Sequence, residues 1–160
     1  ARNINESMPM IAAKFISEKL KFNTKPIITI AGFAFKGEPE TDDLRGSMSI
    51  EVMNAIQNIM PDSKINIYDP IVKIKDLQKI SEHCFTNFYD SILDSDVIVI
   101  CNNHEFFSSN DLRAMLAKNQ KIKLVYDFWN HFDHLDISQK KELNYVTYGS
   151  HWLVNKGIDI

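Results

Sequence analysis

Lys36, Asp42, Asp43 and Arg45 are the residues of this 160-residue chain whose types and spacing could do chemistry. They share one loop. The apolar run Ile27-Ile28-Thr29-Ile30-Ala31 ends in Gly32, and Phe33-Ala34-Phe35-Lys36-Gly37-Glu38-Pro39-Glu40-Thr41-Asp42-Asp43-Leu44-Arg45 follows before a helical pattern begins. In open α/β sheets ligands bind just outside the carboxyl ends of the strands, so these charges fall where a phosphate-bearing ligand is met. An ammonium group about 4 Å from a phosphate gains ~4 kcal/mol at an effective dielectric near 20, before desolvation. Position alone also allows Lys36 to be a solvated loop lysine. Arg45 carries a rigid fork suited to phosphate or carboxylate, and it could equally pin Asp42 or Asp43. Carboxylates near a helix amino end gain roughly 0.3–1 kcal/mol each, so capping is expected to account for at least one aspartate.

The remaining reactive side chains point to less. Cys84 and Cys101 are the only cysteines, too few and too far apart for a disulfide framework or a thiolate metal site. Reduced, semi-buried thiols are the expectation, which fits a cytoplasmic protein. No base adjoins Cys101 in sequence, so a nucleophilic role is not expected. His131 and His134 with Asp133 and Asp136 match no standard ligand spacing, and no metal is expected. Gly32 and Gly37 are wrongly spaced for G-x-G-x-x-G, and the helix comes too late for a dinucleotide turn.

The elements that must position these residues alternate. A helix is predicted over Pro9 to Lys21, with Ser7 as cap, Pro9 in the first turn and an apolar stripe of Ile11, Ala12, Phe15, Ile16 and Leu20. Strands are predicted over Ile27–Gly32, Lys64–Tyr68, Cys84–Thr86, Asp96–Cys101, Lys123–Phe128 and Tyr145–Tyr148. Helices are predicted over Ser47–Met60, Asp76–Ser81, Asn87–Leu93 and Asp111–Lys118, the last capped by Ser109 or Asn110. Strands alternating with helices imply βαβ units and a doubly wound, mostly parallel Rossmann-like sheet preceded by one long helix. The apolar face of that first helix needs a neighbouring domain or a second copy of the protein to pack on. Residues 1–24 read as the helix region and 25–160 as the ligand-binding domain.

At 160 residues the chain suits one domain with a real core. A hydrophobic fraction of 44% with 24% charged residues is ordinary for a globular chain. The net charge of −3 without a basic run argues against nucleic-acid binding. No apolar run approaches the ~20 residues of a membrane span. A first residue other than methionine suggests a piece of a longer protein.

Gly32-Phe33-Ala34-Phe35-Lys36, then Thr41-Asp42-Asp43-Leu44-Arg45 and Ser47, resembles the run "G-x-A-F-K…T-D-D-x-R-x-S" of the carboxyl-terminal domain of the UDP-glucose/GDP-mannose dehydrogenases. Ile67-Tyr68-Asp69-Pro70 resembles the family's "V-Y-D-P". Asp94-Ser95-Asp96-Val97-Ile98-Val99-Ile100 with His104-Glu105-Phe106 resembles "A-D-A-hydrophobic…T-x-H-x-x-F", where a loop-building role is expected of His104-Glu105. Arg2-Asn3-Ile4-Asn5 to Met8-Pro9 resembles the start of the family's long central helix.

The resemblance implies an enzyme that uses NAD and a cysteine to oxidise the C6 hydroxyl of a nucleotide sugar to a carboxylate, through a thiohemiacetal and a thioester. An amino-terminal domain of the same chain would bind NAD, and the central helix would make a homodimer. The domain seen here would grip the nucleotide sugar, a UDP-sugar rather than a GDP-sugar. By resemblance Phe35 and Lys36 would contact that substrate and Arg45 would reach toward NAD. The family's catalytic cysteine lies upstream and matches neither Cys84 nor Cys101, so this piece is expected to be inactive alone.

Two departures stand out. Gly37-Glu38-Pro39-Glu40 makes the loop two residues longer than in the commonest members. Asp127-Phe128-Trp129-Asn130 replaces a run in which an arginine contacts the substrate, so Trp129 could stack on a base or sugar, or simply pack. A catalytically degenerate member and a non-enzymatic receiver-like signalling domain, with Asp69 at a strand end, are the alternative readings.

Overall fold

Ile27–Ala31, Lys64–Tyr68 and Val97–Ile100 bury nearly every side chain, as strands covered on both faces must. In the computed structural model, which describes residues 2–21, 23–132 and 143–148, they form the middle of a six-stranded sheet. In chain order the strands are β1 (Ile27–Ala31), β2 (Lys64–Tyr68), β3 (Cys84–Phe85), β4 (Val97–Ile100), β5 (Leu124–Asp127) and β6 (Asn144–Thr147). They lie in the order β3-β2-β1-β4-β5-β6, and every pairing is parallel, where the sequence implied only a mostly parallel sheet. Ile30 stands between Ile67 and Val99 in register.

Helices α1 (Arg2–Lys19), α2 (Met48–Ile59), α3 (Ile74–Leu77), α4 (Phe88–Ile92) and α5 (Asn110–Lys118) complete the alternation, with a 3₁₀ turn at Glu105–Ser108. Successive strand residues serve opposite faces. Val97 and Val99 join Ile28, Ile30, Ile56 and Ile16 under α1 and α2, while Ile98 and Ile100 join Phe88, Ile92, Leu112 and Leu116 under α4 and α5.

The first helix differs from its sequence pattern. It begins at Arg2, so Pro9 and Ser7 lie inside it rather than at its start. The apolar stripe that located the helix begins only at Ile11, and the polar run before it carries no periodic signal. An interior proline removes one backbone hydrogen bond, and the buried face beyond it holds the helix. Of the two partners that this face required, the adjoining domain is the one it meets. Ala12, Ala13, Phe15 and Ile16 are buried in the same core as α2, and the Phe15 ring lies 5.8 Å from that of Tyr126 on β5. The expectation of a homodimer therefore draws no support from that face.

Candidate functional site

The strand order reverses between β1 and β4, and loops leaving a parallel sheet at such a point make its ligand crevice. Here the chain's own loop fills the crevice. Gly32 leaves β1 at φ 89°, and a Cβ there would stand 2.8 Å from the Asn102 side chain. The Ser49 hydroxyl donates to the Gly32 carbonyl. The buried Asp69 carboxylate accepts the Ala34 N–H at 2.8 Å and the N–H groups of Ile71 and Val72. From the β4 exit, the Asn102 amide donates to the Ala34 carbonyl at 3.3 Å, and the Asn103 Oδ1 accepts the N–H groups of Gly37 and Glu38. A Cβ on Gly37 would meet the His104 backbone nitrogen at 2.0 Å. These contacts occupy the β1–α2 turn with the chain's own groups, and Gly32 and Gly37 lack the spacing of a dinucleotide turn, so the residues present do not fit NAD at this switch point. The receiver-like reading falls too, because both Asp69 oxygens are engaged in holding the backbone and the carboxylate is buried.

The loop thereby fastened presents Phe35 and Lys36. Phe35 is 57% exposed, its N–H donating to the Asp43 carbonyl at 2.7 Å and its ring beside Gly46. Lys36 is half-buried and makes no hydrogen bond or ion pair with any described residue. Arg45 does not pin Asp42 but Asp43. Its Nε and Nη2 donate to that carboxylate at 3.0 and 2.7 Å, and its backbone N–H donates at 2.9 Å. This fork holds the Asp43 carboxyl down at about 2, first through the Arg45 side-chain hydrogen bonds. The guanidinium side chain stays 92% exposed, aimed outward with its remaining donors unspent. Helix capping explains neither aspartate, since Ser47 caps α2 and accepts the Ser49 N–H. Asp43 instead closes its own turn by accepting the backbone N–H of Arg45, two residues on.

At the neighbouring exit, Asp127 ends β5 fully buried. Its carboxylate accepts the Trp129 N–H at 2.9 Å, the His131 N–H at 2.7 Å, the His131 Nδ1–H at 2.9 Å and the Tyr145 hydroxyl at 2.7 Å. Burial pushes the Asp127 carboxyl up, but the His131 side-chain hydrogen bond and charge, with two backbone N–H groups, outweigh it and leave it below the usual range. Nδ1 faces the carboxylate and so carries the ring proton, and His131 Nε2 is buried without a partner. Trp129 rides on this turn 51% exposed, its indole N–H donating to the Cys101 carbonyl at 3.0 Å. The indole is anchored by one edge with much of its surface open. Asp133, His134 and Asp136 lie outside the described residues, and among those described no cluster could hold a metal. Cys101 is buried, and burial pushes its thiol up to about 12, which removes it as a nucleophile. No described helix is long and apolar enough to cross a membrane.

Sequence reasoning missed the clamps: Asp69, Asn102, Asn103 and Glu40 on one side, and Asp127, His131 and Tyr145 on the other. The signal available was a polar residue at or within two positions of the ends of β2, β4 and β5, namely Asp69, Asn102 and Asp127. His104 does build its loop, as expected, by capping the 3₁₀ turn with Nδ1 accepting the Phe106 N–H.

The fold is a doubly wound domain whose switch point is closed by its own loop, with charged and aromatic groups displayed outside it. Residues 29–134 match the UDP-glucose/GDP-mannose dehydrogenase family, UDP binding domain, and the chain belongs to that family. The UDP-N-acetyl-D-mannosamine dehydrogenase of Pyrococcus horikoshii is 34% identical over 133 residues, covering 79% of this chain and 28% of that protein. The enzyme of the same name from Methanococcus vannielii is 32% identical over 140 residues, covering 84% and 30%. The solved structure of UDP-D-ManNAc dehydrogenase from Pyrococcus horikoshii superposes with a TM-score of 0.69 at 25% identity, over 92% of this chain and 32% of that one. The chain thus spans about a third of the length of the relatives it matches.

Proposed function

We propose that this chain is the nucleotide-sugar-binding part of an NAD-dependent nucleoside-diphosphate-sugar 6-dehydrogenase, with residues 25–160 as the binding domain and residues 1–24 as the end of a central helix. The substrate is a UDP-sugar. UDP-N-acetyl-D-mannosamine is the first candidate, since relatives from Pyrococcus and Methanococcus carry that name. NAD supplies hydride acceptance when bound by another domain of the protein, and this chain's contribution toward it is the outward guanidinium of Arg45. Lys36 holds the diphosphate, Phe35 packs against the sugar or base beside it, and Trp129 offers an aromatic surface nearby for a base or sugar. With Cys101 inert and Cys84 on the edge strand, the chain alone turns over no nucleotide sugar.

The observation that carries this reading is Lys36: a half-buried lysine with no hydrogen bond or ion pair to any described residue, on a loop that is otherwise clamped. A half-buried ammonium gains when a ligand supplies the counter-charge. Titration calorimetry with UDP tests it. Lys36→Ala should weaken UDP binding about tenfold or more in the full-length protein, the loss of a charge-assisted contact. Unchanged affinity would remove Lys36 from the site.

A further inference from the structure

The loop after β1 brings a carboxylate, Glu40, to a place where it holds the loop down. Glu40 Oε1 lies 2.9 Å from His104 Nε2, with the Glu40 side chain 54% exposed and that of His104 only 8%. His104 has no freedom to choose its tautomer. Its Nδ1 accepts the Phe106 N–H at 3.0 Å, so the ring proton sits on Nε2 and is donated to Glu40. Gly37 packs directly on the His104 backbone, and Asn103 holds the Gly37 and Glu38 N–H groups. At the loop's neck the Phe35 N–H meets the Asp43 carbonyl. Lys36 lies between these fastenings and makes no side-chain hydrogen bond or ion pair with any described residue. Where its ammonium can reach is therefore set by how the backbone on either side is held.

We propose that the His104–Glu40 contact is a clasp that positions Lys36, making Glu40 and His104 positioning residues for the bound diphosphate. The inference rests on the nucleotide-binding role given to Lys36 above. A polar contact between two exposed, mobile side chains contributes little to stability as a rule. This one is a hydrogen bond from a neutral imidazole that is buried and fixed in tautomer. It bridges the loop to the β4 exit rather than joining two mobile side chains.

The test is a double-mutant cycle read by UDP titration calorimetry on the full-length protein, with thermal unfolding alongside. Glu40→Ala should weaken UDP binding about three- to tenfold, the loss of one partly exposed hydrogen bond expressed as loop misplacement. Glu40→Gln keeps an oxygen that accepts the Nε2–H, and its affinity should stay within about twofold of the parent. In a Lys36→Ala background Glu40→Ala should change nothing further. If Glu40→Ala binds UDP like the parent while Lys36→Ala binds worse, the clasp is not a positioning device. Equal losses from Glu40→Ala in both backgrounds, or a Glu40→Gln variant as weak as Glu40→Ala, would overturn it as well. If Lys36→Ala itself leaves UDP binding intact, the nucleotide-binding role fails, and the clasp with it.

Discussion

Tyr145→Phe is the sharpest probe of the turn that carries Trp129. The hydroxyl donates to the Asp127 carboxylate at 2.7 Å and accepts the Phe132 N–H at 3.2 Å, inside a buried aromatic surround. Removing it deletes one charge-assisted hydrogen bond, worth roughly 1.5–3 kcal/mol, and strands one buried backbone donor at roughly 1–3 kcal/mol. The two costs overlap because the turn can relax, so the expected loss is about 2–4 kcal/mol. For a chain of this size that lowers Tm by about 5–15 °C. The ring is kept, so no cavity contributes. The effect should depend on pH in a fixed direction. Asp127 has a depressed folded pKa, so its contribution is complete above the unfolded value near ~3.9 and fades as pH falls through the folded one. Tyr145 is pushed up by burial and then by the Asp127 charge, so its contribution is complete below ~10 and fades only in stronger alkali. Thermal melts of the 160-residue chain followed by circular dichroism should therefore show the full difference at pH 7 and a smaller one below pH ~4. A Tm change under about 1 °C at pH 7 would refute the idea that this carboxylate organises the turn.

Three other changes test the remaining joints. Arg45→Ala should return the Asp43 carboxyl from about 2 to the ordinary carboxylate range in a side-chain NMR titration, since the guanidinium fork is the first cause of the depression; an unmoved midpoint would deny the pairing. Gly37→Ala places a methyl 2.0 Å from the His104 backbone nitrogen, so the loop must lift. UDP affinity should fall at least as far as in Lys36→Ala, and a variant that binds UDP normally would show that the loop's seat on His104 is irrelevant to the ligand. Phe15→Ala removes a ring that is 3% exposed and packed toward Tyr126, and should cost about 3–5 kcal/mol in denaturant melts; a loss below about 1 kcal/mol would mean that α1 is not part of the domain's core.

Most of the framework was legible because buried parallel strands are short apolar runs, rich in β-branched residues and bounded by turn residues. Val97–Ile100 and Lys64–Tyr68 fall within a residue of their expected limits. The short helix near residue 76 was displaced, running Ile74–Leu77 rather than from Asp76 to Ser81, because one turn of helix has no period to read. At the site, Lys36, Phe35 and Arg45 could be named from the loop sequence. The use of Asp43 could not. Two adjacent aspartates before a helix satisfy a capping rule equally well, and only the turn at Arg45 shows that the second one grips the guanidinium instead. The Asp127 network was invisible for a different reason. Its members are separated by up to 18 positions, and no local pattern announces that a tyrosine on the last strand will reach a carboxylate on the one before it.

The sealed switch point also sets how tightly this domain can hold a ligand without its neighbours. The groups it displays, Arg45 and the open surface of Trp129, stand in water, where a unit-charge pair 4 Å apart is worth only ~1 kcal/mol and exposed pairs add about 0–1 kcal/mol net. The same pair at an effective dielectric near 20 is worth ~4 kcal/mol. On the proposed assignment, a diphosphate on Lys36 therefore gains most of its binding energy only when a second surface closes over it and excludes solvent. The crevice that could have supplied that enclosure from within is occupied by Asn102, Asn103 and the loop they hold. UDP should consequently bind the 160-residue chain at least a hundredfold more weakly than it binds the full-length protein, the ratio that a difference of about 3 kcal/mol produces. Equal affinity in the two, measured by calorimetry at the same salt concentration, would mean that the domain encloses its ligand by itself and that the exposed guanidinium has another use.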